Sequence, residues 1–146
     1  MVDASLLGFA RTGALGPIRL GLARDEVESL LGSPPSWLAN SSKARSTIWK
    51  FEDVEIYFTD HVVTMLFCDA GTLTNGGEAL RIDPWVIRRR LSQAAFEKAV
   101  VDAGMSFERR PGPVDQVHVV VNGVAVFSFD PDASGTFGLG YWQTDR

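Results

Sequence analysis

The chain holds one cysteine and two histidines among 146 residues. A lone Cys68 excludes an intramolecular disulfide framework, and because it ends a strongly apolar run it reads as a buried, inert thiol. His61, His118 and one buried thiol fall short of the three or four suitably spaced ligands that zinc needs. No metal or other cofactor is therefore expected. Long apolar runs are missing too. Nothing approaches the roughly eighteen residues of a membrane span, and the first residues offer Asp3, no basic group and too short an apolar stretch for a signal segment. The expectation is a soluble, cytoplasmic protein with no membrane partner. Basic residues number 14 against 18 acidic ones, for a formal charge of −4. That balance argues against nucleic acid, whose binding depends on lysine and arginine displacing counterions from phosphates. The one dense basic stretch, Arg88-Arg89-Arg90, reads as an anion or partner contact or as a solvated lead-in to a helix.

Two short motifs fail on inspection. Gly138-Leu139-Gly140 lacks the third glycine of a dinucleotide fingerprint and sits within a strand pattern rather than before a helix. Asp130-Pro131-Asp132 with Ser134-Gly135 lacks the remaining carboxylates and the closing glutamate of a calcium loop. What remains is 45% hydrophobic and 22% charged, which excludes general disorder, and the length suits a single compact domain over residues 1–146.

Hydrophobic patterning divides that domain into two similar units. In the first, about residues 16–70, Leu22, Val27, Leu30 and Leu31 line one face of a short helix. Asp25 and Glu26 fall in its first turn, and Gly32 and Pro34-Pro35 end it. Residues 36–46 read as an exposed loop anchored by Trp37. Strands follow at 47–51, 54–58 and 62–67, with Thr59-Asp60-His61 as a turn. In the second unit, about residues 80–146, Ser92 is a natural N-cap. Phe96, Ala99, Val100 and Ala103 form the apolar stripe, and Gly104 closes the helix. Strands follow at 105–109, 117–121, 124–129 and 137–142, the middle pair joined by Asn122-Gly123. Residues 71–78, with Asn75-Gly76-Gly77, read as the linker, and Asp83-Pro84 opens a helical turn or lead-in over 85–91. Leu22 to Leu91 and Val27 to Phe96 each span 69 positions, whereas Val54 to Val117 spans 63. The fold class expected is α+β: two repeated helix-plus-antiparallel-sheet units with the helices on one face of the sheet.

If Val54, Ile56 and Phe58 face the helices, strand alternation turns Glu55 and Tyr57 outward. His118 alternates with Val117 and Val119 and faces away from the core. Tyr141 and Trp142 point to opposite faces, so one of them is outward. Aromatics beside charges on an open sheet suit a protein partner. The surface expected to bind it is Trp49, Glu55, Tyr57, His118 and Trp142. No catalytic residue is expected, since neither histidine has a matching nucleophile.

The string from Gly16-Pro17-Ile18-Arg19-Leu20-Gly21-Leu22 through Ala23-Arg24-Asp25-Glu26-Val27-Glu28-Ser29-Leu30-Leu31-Gly32-Ser33-Pro34, with Trp49 and Val54-Glu55-Ile56-Tyr57-Phe58 after it, resembles a recurring bacterial module. It is similar to the helix-then-sheet unit of the small outer-membrane assembly lipoproteins, and to the tandem β-lactamase-inhibitor proteins built from such units. Similar strings occur in small cytoplasmic proteins that look like immunity partners of bacterial toxins. The likeness covers about residues 16–67. Ala23 stands where that module usually has a serine or threonine N-cap, which leaves Glu26 without its capping-box partner. With no lipidated cysteine, signal or disulfides, the resemblance implies an immunity- or inhibitor-type protein that occludes a partner. The acidic chain would steer toward a basic one, such as a nuclease toxin. The alternative is a small-molecule binder or enzyme with a cleft between the units, around Arg81, Asp83 and His118. A homodimer paired through sheet edges is compatible with either.

Overall fold

The computed structural model describes residues 1–69, 75–88, 90–130 and 137–143, with backbone alone at 69, 75 and 137–143. Its strands fall into two sheets. The larger is antiparallel and eight-stranded: β2 (Ser36–Trp37), β3 (Ile48–Phe51), β4 (Val54–Thr59), β5 (Val62–Asp69), β11 (Phe137–Gln143), β10 (Ala125–Phe129), β9 (Val117–Val121) and β8 (Phe107–Pro111), in that spatial order. The smaller has β7 (Leu80–Asp83) between β1 (Val2–Ser5), to which it is parallel, and β6 (Asn75–Gly76).

Among the described residues three α-helices accompany them: α1 (Leu6–Thr12), α2 (Arg24–Leu31) and α3 (Gln93–Asp102). Ser5 caps α1 by accepting from Gly8 N–H at 2.9 Å, and Ser92 caps α3 by accepting from Ala95 N–H at 3.1 Å. At α2 the expected defect is half repaired. Glu26 still accepts from Ala23 N–H at 3.0 Å, but alanine offers no oxygen in return, so Glu26 N–H turns to the Ala23 carbonyl. No helix among the described residues is long and apolar enough to cross a membrane.

All three helices press on the same face of the large sheet. Phe9 of α1 meets Phe127 edge-on at 6.2 Å, and Phe96 of α3 lies 4.6 Å from Phe127 and 5.4 Å from Phe129. The Arg24 guanidinium of α2 lies over Phe58 and Trp49. Val27, Phe96 and Val100 are fully buried, as the apolar stripes require. The core is one contiguous cluster that also takes in Ala4, Leu80 and Ile82 of the small sheet.

Three segments depart from the sequence reading. Residues 1–15, to which it assigns no element, form β1 and α1. The linker assigned to 71–78 holds β6 at Asn75–Gly76; strand β7 follows, and its parallel pairing with β1 ties the middle of the chain to the N-terminal strand. That pairing joins residues almost eighty positions apart, which no local pattern reports. Residues 85–88 are not helical. Asp83 accepts from Trp85 N–H at 2.9 Å, an Asx turn that leaves Trp85 at φ 53° and diverts the chain.

Candidate functional site

The helix-free face of the large sheet can be read row by row from its register, since paired residues on adjacent strands share a face. One row runs Lys50, Glu55, Phe67, then position 142, Val126, Val120 and Glu108. Beside it, Ile48, Tyr57 and Met65 form a second row on β3, β4 and β5. All six residues of these rows on β3, β4 and β5 are half-buried.

A bulge makes this face. Register shifts between Tyr57 and Phe58, leaving Thr64 as the unmatched residue of β5. Val63 and Leu66 therefore both point to the core although three positions apart, and Met65 and Phe67 are turned outward. Sequence reasoning singled out neither. Strict alternation from Val63 would have sent Met65 and Phe67 inward, and nothing in the residues 62–67 marks the extra one.

Glu55 and Tyr57 lie together on this face, as alternation implies. Tyr57 Oη donates to Glu55 Oε1 at 2.9 Å, and the phenol meets Phe67 edge-on at 6.4 Å. Partial burial, reinforced by the Glu55 bond and charge, pushes the Tyr57 pKa up to about 12. This phenol stays neutral and acts as a donor.

Trp49 is a correction. It is only 1% exposed, pairs with the inward Ile56 and packs edge-on against Phe58 at 4.9 Å. Its Nε1–H donates to the Lys43 carbonyl at 2.8 Å, which satisfies the indole inside the core. On β3 it is Ile48 and Lys50 that face outward. Trp37, expected in a loop, forms β2 beside Trp49 and donates its Nε1–H to the Ser41 carbonyl.

His118 lies on the far half of the same face, paired with Arg110 and Ser128. Burial lowers its pKa and favours the neutral ring. The imidazole packs so closely on Gly112 that any Cβ there would overlap it. Around it the face is closed: Ser128 is 0%, Val120 2% and Val126 5% exposed. Ser128 Oγ and Gln116 Oε1 have no hydrogen-bond partner among the described residues. At position 142 the backbone pairs with Phe67 and Val126, but the Trp142 side chain lies outside the described residues, as does that of Tyr141.

The polar cluster expected for a cleft does not assemble. Arg81 and Asp83 line an open groove of about 880 Å³ with Asp3 and Thr12, beside the small sheet, whereas His118 belongs to β9. Asp3 and Arg81, both largely exposed, approach to 3.6 Å, a pair of little energetic weight in water. No three His, Cys, Asp or Glu side chains group as metal ligands among the described residues.

Both edges of the large sheet resist pairing with another chain. Strand β2 has two residues, and β8 presents Glu108, Arg109, Arg110 and Pro111. Arg109 is further held by Glu97 of α3 through two 2.7 Å bonds. Those bonds hold the Glu97 carboxylate below its ordinary value, against the opposing effect of burial. Comparison with protein-family models, with curated proteins and with solved structures finds no match to this chain.

Proposed function

We propose that this chain is a non-enzymatic protein-binding module, an immunity- or inhibitor-type protein that occludes a partner with the helix-free face of its large sheet. The observation that carries the reading is the patch on β3, β4 and β5. There Ile48, Tyr57, Met65 and Phe67 lie side by side and only partly buried, bordered by Lys50 and Glu55. An apolar, aromatic centre with a charged rim is the anatomy of a protein interface. The charge of −4 favours approach of a basic partner.

The same reading takes the large sheet as two copies of one unit. Helices α2 and α3 begin at Arg24 and Gln93, with caps at Ala23 and Ser92, so the 69-position spacing holds at both helix starts. Each helix precedes four strands of the large sheet, and the two sets meet at their last strands, β5 and β11. On this scheme β4 corresponds to β10 and β3 to β9. The counterpart of Val54 then lies near Ala125, one strand away from Val117.

Affinity capture from the source cell tests the function, with three baits: the intact chain, a Tyr57→Ala/Phe67→Ala double variant, and Val101→Asp on the exposed side of α3. The expected result is one stoichiometric protein held by the intact chain and by Val101→Asp but lost from the double variant. Equal capture by all three folded baits, or by none, contradicts the reading.

A further inference from the structure

The patch on β3, β4 and β5 carries two opposite charges that the chain does not pair with each other. Lys50 and Glu55 stand directly across from one another on β3 and β4, both only partly buried. Yet Lys50 meets no carboxylate among the described residues. Glu55 accepts from the Tyr57 hydroxyl through Oε1 at 2.9 Å, which leaves Oε2 for another donor. In the row beside them Ile48 stands across from Tyr57, with Met65 next. The first row runs from Ser36 on β2, small and exposed, through Lys50 and Glu55 to Phe67 on β5.

These rows are self-complementary. A twofold axis parallel to the strands, midway between β3 and β4, lays β3 of one copy over β4 of the other. Lys50 then meets the partner's Glu55 and Ile48 the partner's Tyr57, and each contact occurs twice, as an isologous interface requires. One strand further out, Ser36 comes over the partner's Phe67, where its small side chain leaves room for the ring. Sheets packed face to face in this way keep their strands nearly aligned. Both edges of the large sheet resist pairing, so its open face is the route by which a second copy can add to it.

We infer that a second copy of this chain covers the patch on β3, β4 and β5, forming a twofold dimer with Lys50–Glu55 pairs beside an Ile48–Tyr57 centre. The charges select this register. An axis along β4 would oppose the two Glu55 carboxylates, and one along β3 the two Lys50 ammonium groups. The formal charge of −4 repels a second copy at long range, but salt at physiological strength screens that repulsion within about 8 Å. Opposite charges brought into contact as the face is covered are screened less. The patch is smaller than the roughly 20–30 residues a side of a standard interface, so the dimer is weak and gives way to a tighter partner on the same face. Self-association goes beyond the functional reading and does not rest on it.

Sedimentation velocity of the purified full chain, from about 5 to about 500 μM in about 0.15 M salt, tests the dimer without any other protein. The variants are Lys50→Glu and Glu55→Lys, each checked for folding by urea titration. The weight-average mass of the wild type is expected to rise with concentration from 15.9 kDa toward twice that value. Each variant alone sets like charges against each other across the axis and should stay monomeric. An equal mixture of the two restores both opposite pairs and should associate as the wild type does. If either variant fails to fold, the double exchange Lys50→Glu/Glu55→Lys replaces the mixture and is expected to dimerise. A wild type of constant mass, single variants that associate like it, or folded variants that stay apart on mixing, overturns the proposal. Any of these results leaves the functional reading standing, since capture of a different protein needs no self-association.

Discussion

The two halves of the large sheet share a strand order but differ on their helix-free face. On β3, β4 and β5 the outward residues of the two rows are only partly buried, and aromatic or apolar groups adjoin charges. On β9 and β10 the same face carries Val120, Val126 and Ser128, which are buried, and β10 is buried along its whole length. A similar run of neighbouring strands therefore does not make two equal surfaces. The first half retains apolar area that a partner can remove from water, while β9 and β10 have little left to offer on that face.

The sharpest break in this comparison lies between the two aromatics of the first half. Trp49→Ala should cost about 3–5 kcal/mol of stability, because a buried ring packed on Phe58 and beneath Arg24 is lost. Tyr57→Ala, on the opposite face, should cost about 1–2 kcal/mol and show its main effect in partner capture. Urea titration of both variants gives the ratio. Equal losses would place Tyr57 in the core and close the proposed surface.

Next in size is the anchor of the second half. Glu97→Gln should lose about 1–3 kcal/mol, since the bidentate Arg109 contact holds α3 to the edge strand. Its folded-state pKa is depressed, so its contribution is present above the unfolded carboxylate value and is lost as pH falls through the folded one. Thermal melts from pH 6 to 3 should therefore fall more steeply for the wild type than for Glu97→Gln. Parallel profiles would show that the pair does not link folding to protons.

Tyr57 gives a smaller, alkaline signature. Its pKa of about 12 means the folded chain keeps a proton that an unfolded chain gives up nearer pH 10, so stability should decline as pH rises between these values. In a Tyr141→Phe background, phenolate absorbance of the native protein should appear only near pH 12. An ordinary titration near pH 10 would dissolve the Glu55 contact.

The smallest effect tests the closed half. Ser128 Oγ is buried and unpartnered among the described residues, so Ser128→Ala should be neutral or stabilising by up to about 1 kcal/mol, read as a shift in the urea midpoint at constant slope. A clear loss would reveal a hydrogen bond at this hydroxyl.

Much of this was legible in the residues. The apolar spacing of Val27 and Leu31 and of Phe96 and Val100, and the alternation through Val54, Ile56 and Phe58, give α2, α3 and β4 because each rests on local periodicity. The outward placement of Glu55 and Tyr57 came from the same alternation. The sequence does not place Trp49, because its face depends on pairing with Ile56 across a turn. Met65 and Phe67 were missed because a bulge at Thr64 breaks the period of two, and β1 and β7 because their pairing is distant in sequence. The register, set by tertiary packing, decides the surface residues; the pattern decides the elements.

Hydroxyl-radical footprinting of the chain in extract of its source cell, against the same chain in buffer, tests the proposed surface most directly. The account predicts protection at Tyr57, Met65 and Phe67, with Leu30 on α2 and Val101 on α3 unchanged. Protection confined to those helix positions, or none at the three sheet residues, would contradict it.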